Sequence, residues 1–355
     1  MAALLDRFFG WWLVPVGSIA VDDKLYFTAN DDELWRSDGA ATGTQRVHSP
    51  APGATLSPLA AKRDLLIVTS HLSEAERCTL RQSDGTAAGT RPVTAADSAP
   101  EPNGFGRVHF DTAECSPMHL DLNLVVAVDD GVFLTTYDGA ARALWKSDGT
   151  AAGTQRLVDR ISGERLAALG NIVFFSAYDP SHGWELWRSD GTPGGTSLVK
   201  DIAPGPASSH PRGLTVAGGR LFFVADSDGV SGSELWTSDG TSAGTTRVRD
   251  IHVRLDSLIV LGGWVLFAAT DDSGARLWRS DGTEAGTVPV APVDVRDWLA
   301  VGGGKVLFRG YGPAGFDLWV SDGTSDGTVL LREDVGELGW PAARGVALSL
   351  TASDD

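Results

Sequence analysis

Cysteine is scarce in this chain, with only Cys78 and Cys115 among 355 residues, so at most one intramolecular disulfide is open to it. Basic residues are in short supply too: 29 Lys and Arg stand against 46 Asp and Glu, a formal charge of −17. That balance repels phosphate backbones and anionic membrane surfaces, which argues against nucleic-acid binding and leaves contact with basic partners open. No apolar run reaches the roughly 20 residues that a membrane-spanning helix requires. No stretch carries the 3.6-residue period of an amphipathic helix. Motifs of catalysis are missing as well: there is no His-Glu-x-x-His, nucleophile elbow or phosphate loop. The histidines (His48, His71, His109, His119, His182, His210 and His252) are scattered over loops and linkers.

What the chain does have is one phrase, Glu-Leu-Trp-Arg-Ser-Asp-Gly-Thr, followed by two or three small residues and a second Gly-Thr. Its aspartates are Asp38, Asp84, Asp148, Asp190, Asp239, Asp281 and Asp322, at successive gaps of 46, 64, 42, 49, 42 and 41 residues. A period of about 40 to 50 with strand-like content is the range of a propeller blade. The fifth unit shows the grammar best. A strand around Leu214 to Ala217 meets a Gly218-Gly219 turn, then Arg220 to Ala225, a polar loop, Glu234 to Ser238, the Asp-Gly-Thr turn and a fourth strand over Thr245 to Ile251. The second and third strands carry consecutive apolar residues, as sheets covered on both faces do. Leu235 and Trp236 are expected to pack toward opposite neighbours. Trp35, Trp145, Trp187, Trp236, Trp278 and Trp319 read as packing between blades.

The recurrent aspartates read first as turn formers, because an Asp side chain accepts hydrogen bonds from amides just beyond it and glycine frees the backbone. Calcium is the competing reading, weakened by the lack of a dense Asp-x-Asp-x-Asp pattern. No other cofactor is expected.

Both ends look like parts of one further unit. Leu4 to Phe8 resembles Leu157 to Ile161, a fourth strand, and Leu348 to Asp355 matches Leu25 to Asp32 in register, a second strand. The expected fold is therefore all-β, a single β-propeller domain over 1–355 of four-stranded antiparallel blades. Eight blades are favoured: seven complete repeats plus a composite of an N-terminal strand at about 2–8 and C-terminal strands at about 336–355. A ring of seven, or a piece of a longer array, is the alternative. The apolar stretch Phe8 to Val21 invites a signal-peptide reading, but its blade-like register favours a structural role.

Cys78 and Cys115 lie in connections expected on one face of adjacent blades, and a disulfide between them is expected, pointing to an oxidising compartment. His109, Cys115 and His119 also hold ligand chemistry for zinc, at irregular spacing. A surface loop is the favoured reading there. The loops leading into each third strand vary most, so they form the expected recognition face. His182, Trp184 and Phe316 are its ligand-face candidates.

The phrases at Glu33 to Gly39, Glu185 to Thr192 and Glu234 to Thr241 resemble the bacterial ELWxxDGT repeat family, over essentially the whole chain. Unit two departs from it, with Thr79-Leu80-Arg81 in place of Glu-Leu-Trp. The resemblance implies a repeat architecture, often exported, and supplies no catalytic residues. The expectation is a non-enzymatic, monomeric scaffold or binding module at the cell surface or envelope, presenting loops to a protein or glycan partner in adhesion or assembly. A lectin-like propeller is the alternative, and a hydrolase or lyase with a central-channel site a more remote one.

Overall fold

Each repeated phrase folds as the third strand of an antiparallel module, in sheets of four strands, of five, or of eight where modules three and four join. The computed structural model describes residues 18–21, 24–29, 33–49, 54–62, 65–72, 77–92, 109–111, 125–137, 141–150, 152–228, 233–255, 257–312 and 315–335. Among these there is no helix, and the strands form several antiparallel sheets. The all-β, antiparallel part of the expected fold is thus observed.

Module one runs Ser18–Val21, Lys24–Ala29, Glu33–Ser37 and Gln45–His48, each strand bonded to the next in sequence. Module two runs Ala54–Lys62, Leu65–Leu72, Arg77–Ser83 and Arg91–Pro92. Its third strand also pairs with His109–Asp111. Module three is Val125–Val128, Gly131–Tyr137, Arg142–Ser147 and Gln155–Ile161. Module four contributes Ala167–Leu169, Ile172–Asp179, Gly183–Ser189 and Ser197–Lys200. Modules five and seven repeat the order, as Arg212–Ala217, Arg220–Ala225, Glu234–Ser238 and Thr246–Arg249, and as Asp294–Gly302, Lys305–Gly312, Gly315–Ser321 and Val329–Arg332.

Module six differs in its first strand, which is supplied by two pieces, His252–Val253 and Ile259–Leu261, both pairing with Trp264–Asp271. Gly274–Ser280 and Val288–Ala291 complete it. This corrects the expected fourth strand of module five. It stops at Arg249, because His252 and Val253 pair with Thr270 and Ala269 of the following module. The Gly218-Gly219 turn has positive φ at both residues, +56° and +76°, as a tight two-residue hairpin demands.

The described residues fall into two compact units, 1–173 with 189–197, and 174–188 with 198–355. In the first, the Arg36 guanidinium donates to the Gly85 carbonyl of the next module at 3.0 Å, and Gln155 Nε2 donates to the Gly191 carbonyl at 2.7 Å. In the second, Arg188 and Arg279 make the same reach, to Gly240 O at 2.8 Å and Gly323 O at 3.0 Å.

Apolar packing in the second unit follows the strand alternation. Phe222, Val224 and Leu235 of module five share one cluster with Val253, Val265, Phe267 and Trp278 of module six. Phe223 and Trp236 face the other way, stacked on each other at 6.3 Å, with the Lys200 ammonium of module four 6.0 Å from the Trp236 ring. Leu235 and Trp236 therefore pack toward opposite neighbours, and each such buried side chain contributes about 1.5–3 kcal/mol by leaving water.

Candidate functional site

The Asp-Gly-Thr turns are closed hydrogen-bond rings. In module five, Asp239 Oδ1 accepts from the Thr241 amide at 2.8 Å and its hydroxyl at 2.7 Å. Thr241 Oγ1 in turn accepts from the Gly244 amide at 2.9 Å. Thr245 Oγ1 donates back to the Thr241 carbonyl, and Ser238 Oγ lies 2.7 Å from Thr245 Oγ1 and accepts from the Gly240 amide. Asp84, Asp148, Asp190, Asp281 and Asp322 sit in the same ring, whereas Asp38 has Ala40 at the threonine position and keeps only the amide bond. The hydroxyl and amide of the following threonine hold the carboxyls of Asp190, Asp239, Asp281 and Asp322 below the ordinary carboxylate range. A Cβ at the second glycine of any turn would overlap the Asp carboxylate, which explains that glycine without any ligand. The serine before each Asp and the threonine after the second Gly recur in the sequence phrase, and the structure gives them their role, the hydroxyl pair that closes the ring.

In every turn the Asp Oδ1 oxygen is engaged within the turn itself. Among the described residues no group of three His, Cys, Asp or Glu converges to hold a metal. Of the zinc candidates, His109 starts the short strand paired with module two, while Cys115 and His119 lie outside the described residues. So does the Cys115 end of the expected disulfide.

A second recurring arrangement lies where the second strand ends and the third begins. The residue just before the motif acid accepts from the segment leading to the next module: Trp184 O from the Ser209 and His210 amides, Ser233 O from Val253, Phe316 O from Val335. In modules one and five the acid itself, Glu33 or Glu234, pairs with an arginine on the fourth strand, Arg46 or Arg247, at 2.7 Å. Module four has Leu198 in that place, and Glu185 turns elsewhere. Fully buried, its carboxylate accepts from the amides of Ile202, Ala203 and Ser209 at 3.0–3.2 Å and from Ser209 Oγ at 2.5 Å. Burial pushes this carboxyl up from its ordinary value against the pull of those donors. In module seven Leu330 replaces the arginine, and Asp317 likewise accepts from the Asp334 amide.

The ligand-face candidates sit at these strand ends. His182 Nδ1 lies 2.8 Å from Asp179 Oδ1, and the Ser181 amide with His182 holds the Asp179 carboxyl below its ordinary value. Trp184 packs on Tyr178 at 5.6 Å. Phe316 meets Tyr311 edge-on, also at 5.6 Å, so the two hairpins carry equivalent aromatic pairs in separate modules. Around the second pair, Arg309 lies 4.8 Å from the Phe316 ring and bonds Asp297, while Arg296 lies 5.2 Å from the Tyr311 ring and bonds Asp294 at 2.6 Å. Tyr311 remains 57% exposed. The tyrosines and arginines were missed in the sequence because they precede the repeated phrase and do not recur in every unit.

No protein-family model matches the chain, and no curated protein matches it. Among solved structures, a crystal structure of puromycin hydrolase is similar at 18% identity and a TM-score of 0.43, covering 94% of this chain and 55% of that one. The β-propeller domain of the Trilobed protease from Pyrococcus furiosus is similar at 10% identity and 0.43, covering 90% and 98%. A structure from a study of two prolyl endopeptidases is similar at 12% and 0.47, covering 88% and 47%. The chain thus spans about half the length of the puromycin hydrolase structure.

These findings correct the reading of a non-enzymatic scaffold that offers loops to a protein or glycan partner. The similar structures are in the main peptidases, and the exclusion of catalysis is withdrawn. Its physical basis was weak: a missing local motif excludes little where distant residues converge. At such identities and TM-scores the likeness assigns neither activity nor substrate to this chain. No helix among the described residues is long and apolar enough to cross a membrane.

Proposed function

We propose that this chain is an eight-bladed β-propeller of ELWxxDGT repeats that engages cationic peptides as substrates of a peptide-hydrolysing protein. The repeated four-strand order, the arginine bonds from module to module and the apolar clusters that span two modules support the propeller. The eighth blade is proposed from the sequence match of Leu4–Phe8 to Leu157–Ile161 and of Leu348–Asp355 to Leu25–Asp32, terminal segments that lie outside the described residues. The single observation that carries the peptide reading is Tyr311, 57% exposed on the second strand of module seven and edge-on to the half-buried Phe316, with the carboxylates of Asp294 and Asp297, each bonded to an arginine, beside the pair. Arg296 and Arg309 already lie over the two rings, so a Lys or Arg side chain of a peptide competes with them for an attraction of about 0.5–1 kcal/mol at open sites. A net charge of −17 raises the local concentration of cationic peptides and hastens their encounter.

The test is titration calorimetry with two peptides of equal length, one Lys- and Arg-containing and one Glu-containing, followed by mass spectrometry of the mixture for cleavage. Preferential binding of the cationic peptide, weakened roughly fivefold by Tyr311→Ala, is the expected result. Equal binding of both, or binding indifferent to Tyr311→Ala, refutes the reading.

A further inference from the structure

Seven of the chain's Asp-Gly pairs stand in copies of one turn, and six of these turns hold the aspartate in the same way. Thr86, Thr150, Thr192, Thr241, Thr283 and Thr324 each donate a hydroxyl hydrogen to Oδ1 of the aspartate two residues earlier, at 2.6–2.7 Å. The same hydroxyl oxygen accepts from the amide of the second glycine at 2.9–3.0 Å. Module one departs from this at a single side chain. Ala40 stands at the threonine position, so Asp38 Oδ1 has one donor among the described residues, the Ala40 amide at 2.9 Å, and the Gly43 amide donates to the Ala40 carbonyl at 3.1 Å.

The rest of that turn is unchanged. Gly39 N donates to Ser37 Oγ at 3.1 Å with φ at +93°, against 2.9–3.1 Å and +81° to +91° at the other six glycines. An Asp-Gly pair is reactive because the glycine nitrogen, with no Cβ beside it, can reach the aspartate Cγ. An N–Cγ bond forms, and the carboxyl hydroxyl leaves with the amide proton as water, giving a five-membered succinimide. One water then reopens the ring. Cleavage of the bond from nitrogen to Cγ restores aspartate, and cleavage of the bond from nitrogen to the main-chain carbonyl carbon gives isoaspartate. One water is lost and one regained, so the mass is unchanged and no oxidant or reductant enters.

The first step needs a neutral carboxyl that is free to swing toward the nitrogen, and the threonine donors oppose both. They hold the carboxyls of Asp190, Asp239, Asp281 and Asp322 below the ordinary range, which keeps them ionised, and their bonds must break before the group can turn. We infer that Asp38–Gly39 is a modification site of this chain, the pair whose isomerisation to isoaspartate outruns that of the six threonine-held pairs. The product adds one carbon to the main chain inside a ring that closes from Ser37 to Thr44 at 2.7 Å, and it frees an α-carboxylate on the exposed turn between the third and fourth strands of module one. An isoaspartyl methyltransferase, which esterifies that carboxylate, is the matching class of partner.

The site depends on neither the propeller nor the peptide reading, so failure of either leaves it standing. Ageing of the folded full chain at neutral pH, then tryptic digestion and electron-transfer fragmentation, tests it. The peptide 37–46 reports Asp38 and the peptide 189–200 reports Asp190. Isoaspartate at Asp38 accumulates roughly tenfold faster than at Asp190, the worth of one hydrogen bond to a charged carboxylate. Ala40→Thr, which adds a bond and removes none, slows Asp38 to the rate of Asp190, and Thr192→Ala speeds Asp190 toward that of Asp38. Methyl transfer to the aged protein by an isoaspartyl methyltransferase falls with Ala40→Thr to the same extent. Equal rates at the two sites overturn the inference, as does an Ala40→Thr variant that isomerises unchanged. A difference that persists in the urea-unfolded chain also overturns it, by assigning the rate to local sequence and not to the folded turn.

Discussion

Trp236 donates its indole N–H to Glu234, two residues earlier on the same strand, at 3.2 Å. Side chains at that spacing share one face of a strand, so the acid and the indole of the repeated phrase form a unit. Trp35 and Glu33 repeat it, also at 3.2 Å. Where the acid is diverted, replaced or shortened, at Glu185, Arg276 and Asp317, the indole nitrogens of Trp187, Trp278 and Trp319 are buried without a hydrogen-bond partner.

Glu234→Ala removes the acceptor for Trp236, for Ser227 and for Arg247 at once. The loss of stability is expected at about 2–4 kcal/mol, from buried donors left unmade. Urea denaturation followed by tryptophan fluorescence measures it; a change below about 0.5 kcal/mol contradicts the unit.

Gly286→Ala forces a Cβ into the Asp281 carboxylate. A destabilisation on the order of 3 kcal/mol is expected from overpacking of the closed turn. Removing the obstacle in Asp281→Ala/Gly286→Ala should recover part of it, so the double-mutant cycle is non-additive. Additive losses place the cost elsewhere.

Arg188→Ala breaks the bond to Gly240 O that ties module four to module five within one compact unit. About 1–2 kcal/mol is expected, appearing as a lower midpoint in thermal unfolding. Arg279→Ala is the matching case for Gly323.

The pH dependence has two branches of opposite sign. Glu185 has its carboxyl raised in the fold by burial, so its contribution is fully present below the unfolded value and is lost as pH rises through the folded one. Glu185→Gln, neutral at every pH, should therefore flatten the decline of stability just above the ordinary carboxylate range. The turn aspartates are lowered by their threonine donors, so their contribution is present above the unfolded value and is lost as pH falls through the folded one. Asp281→Asn should weaken the acid branch. Unfolding free energies measured from pH 3 to pH 7 read both branches, and parallel curves for mutant and native protein contradict the assignment.

Much of the fold was legible because its rules are local. The Ser-Asp-Gly-Thr turn closes its hydrogen bonds within eight residues, Ser238 to Thr245, and the Gly218-Gly219 hairpin needs only its own two glycines. The second and third strands of module five therefore match their expected ranges, Arg220–Ala225 and Glu234–Ser238. The fourth strand did not, since His252 and Val253 join a sheet whose partners lie 16 to 18 residues further on.

By itself the sequence determined the strand-and-turn grammar, the acidic charge and the positions of the candidate aromatics, because periodicity and turn chemistry are written in contiguous residues. Only the tertiary structure decided what each repeated position does. Glu234 binds Arg247, while Glu185 holds backbone amides; Val248 is buried, and Leu331 is half bare. The physical reason is that burial and partner choice depend on the facing module some 40 residues away, and identical local sequence says nothing of which neighbour stands opposite it.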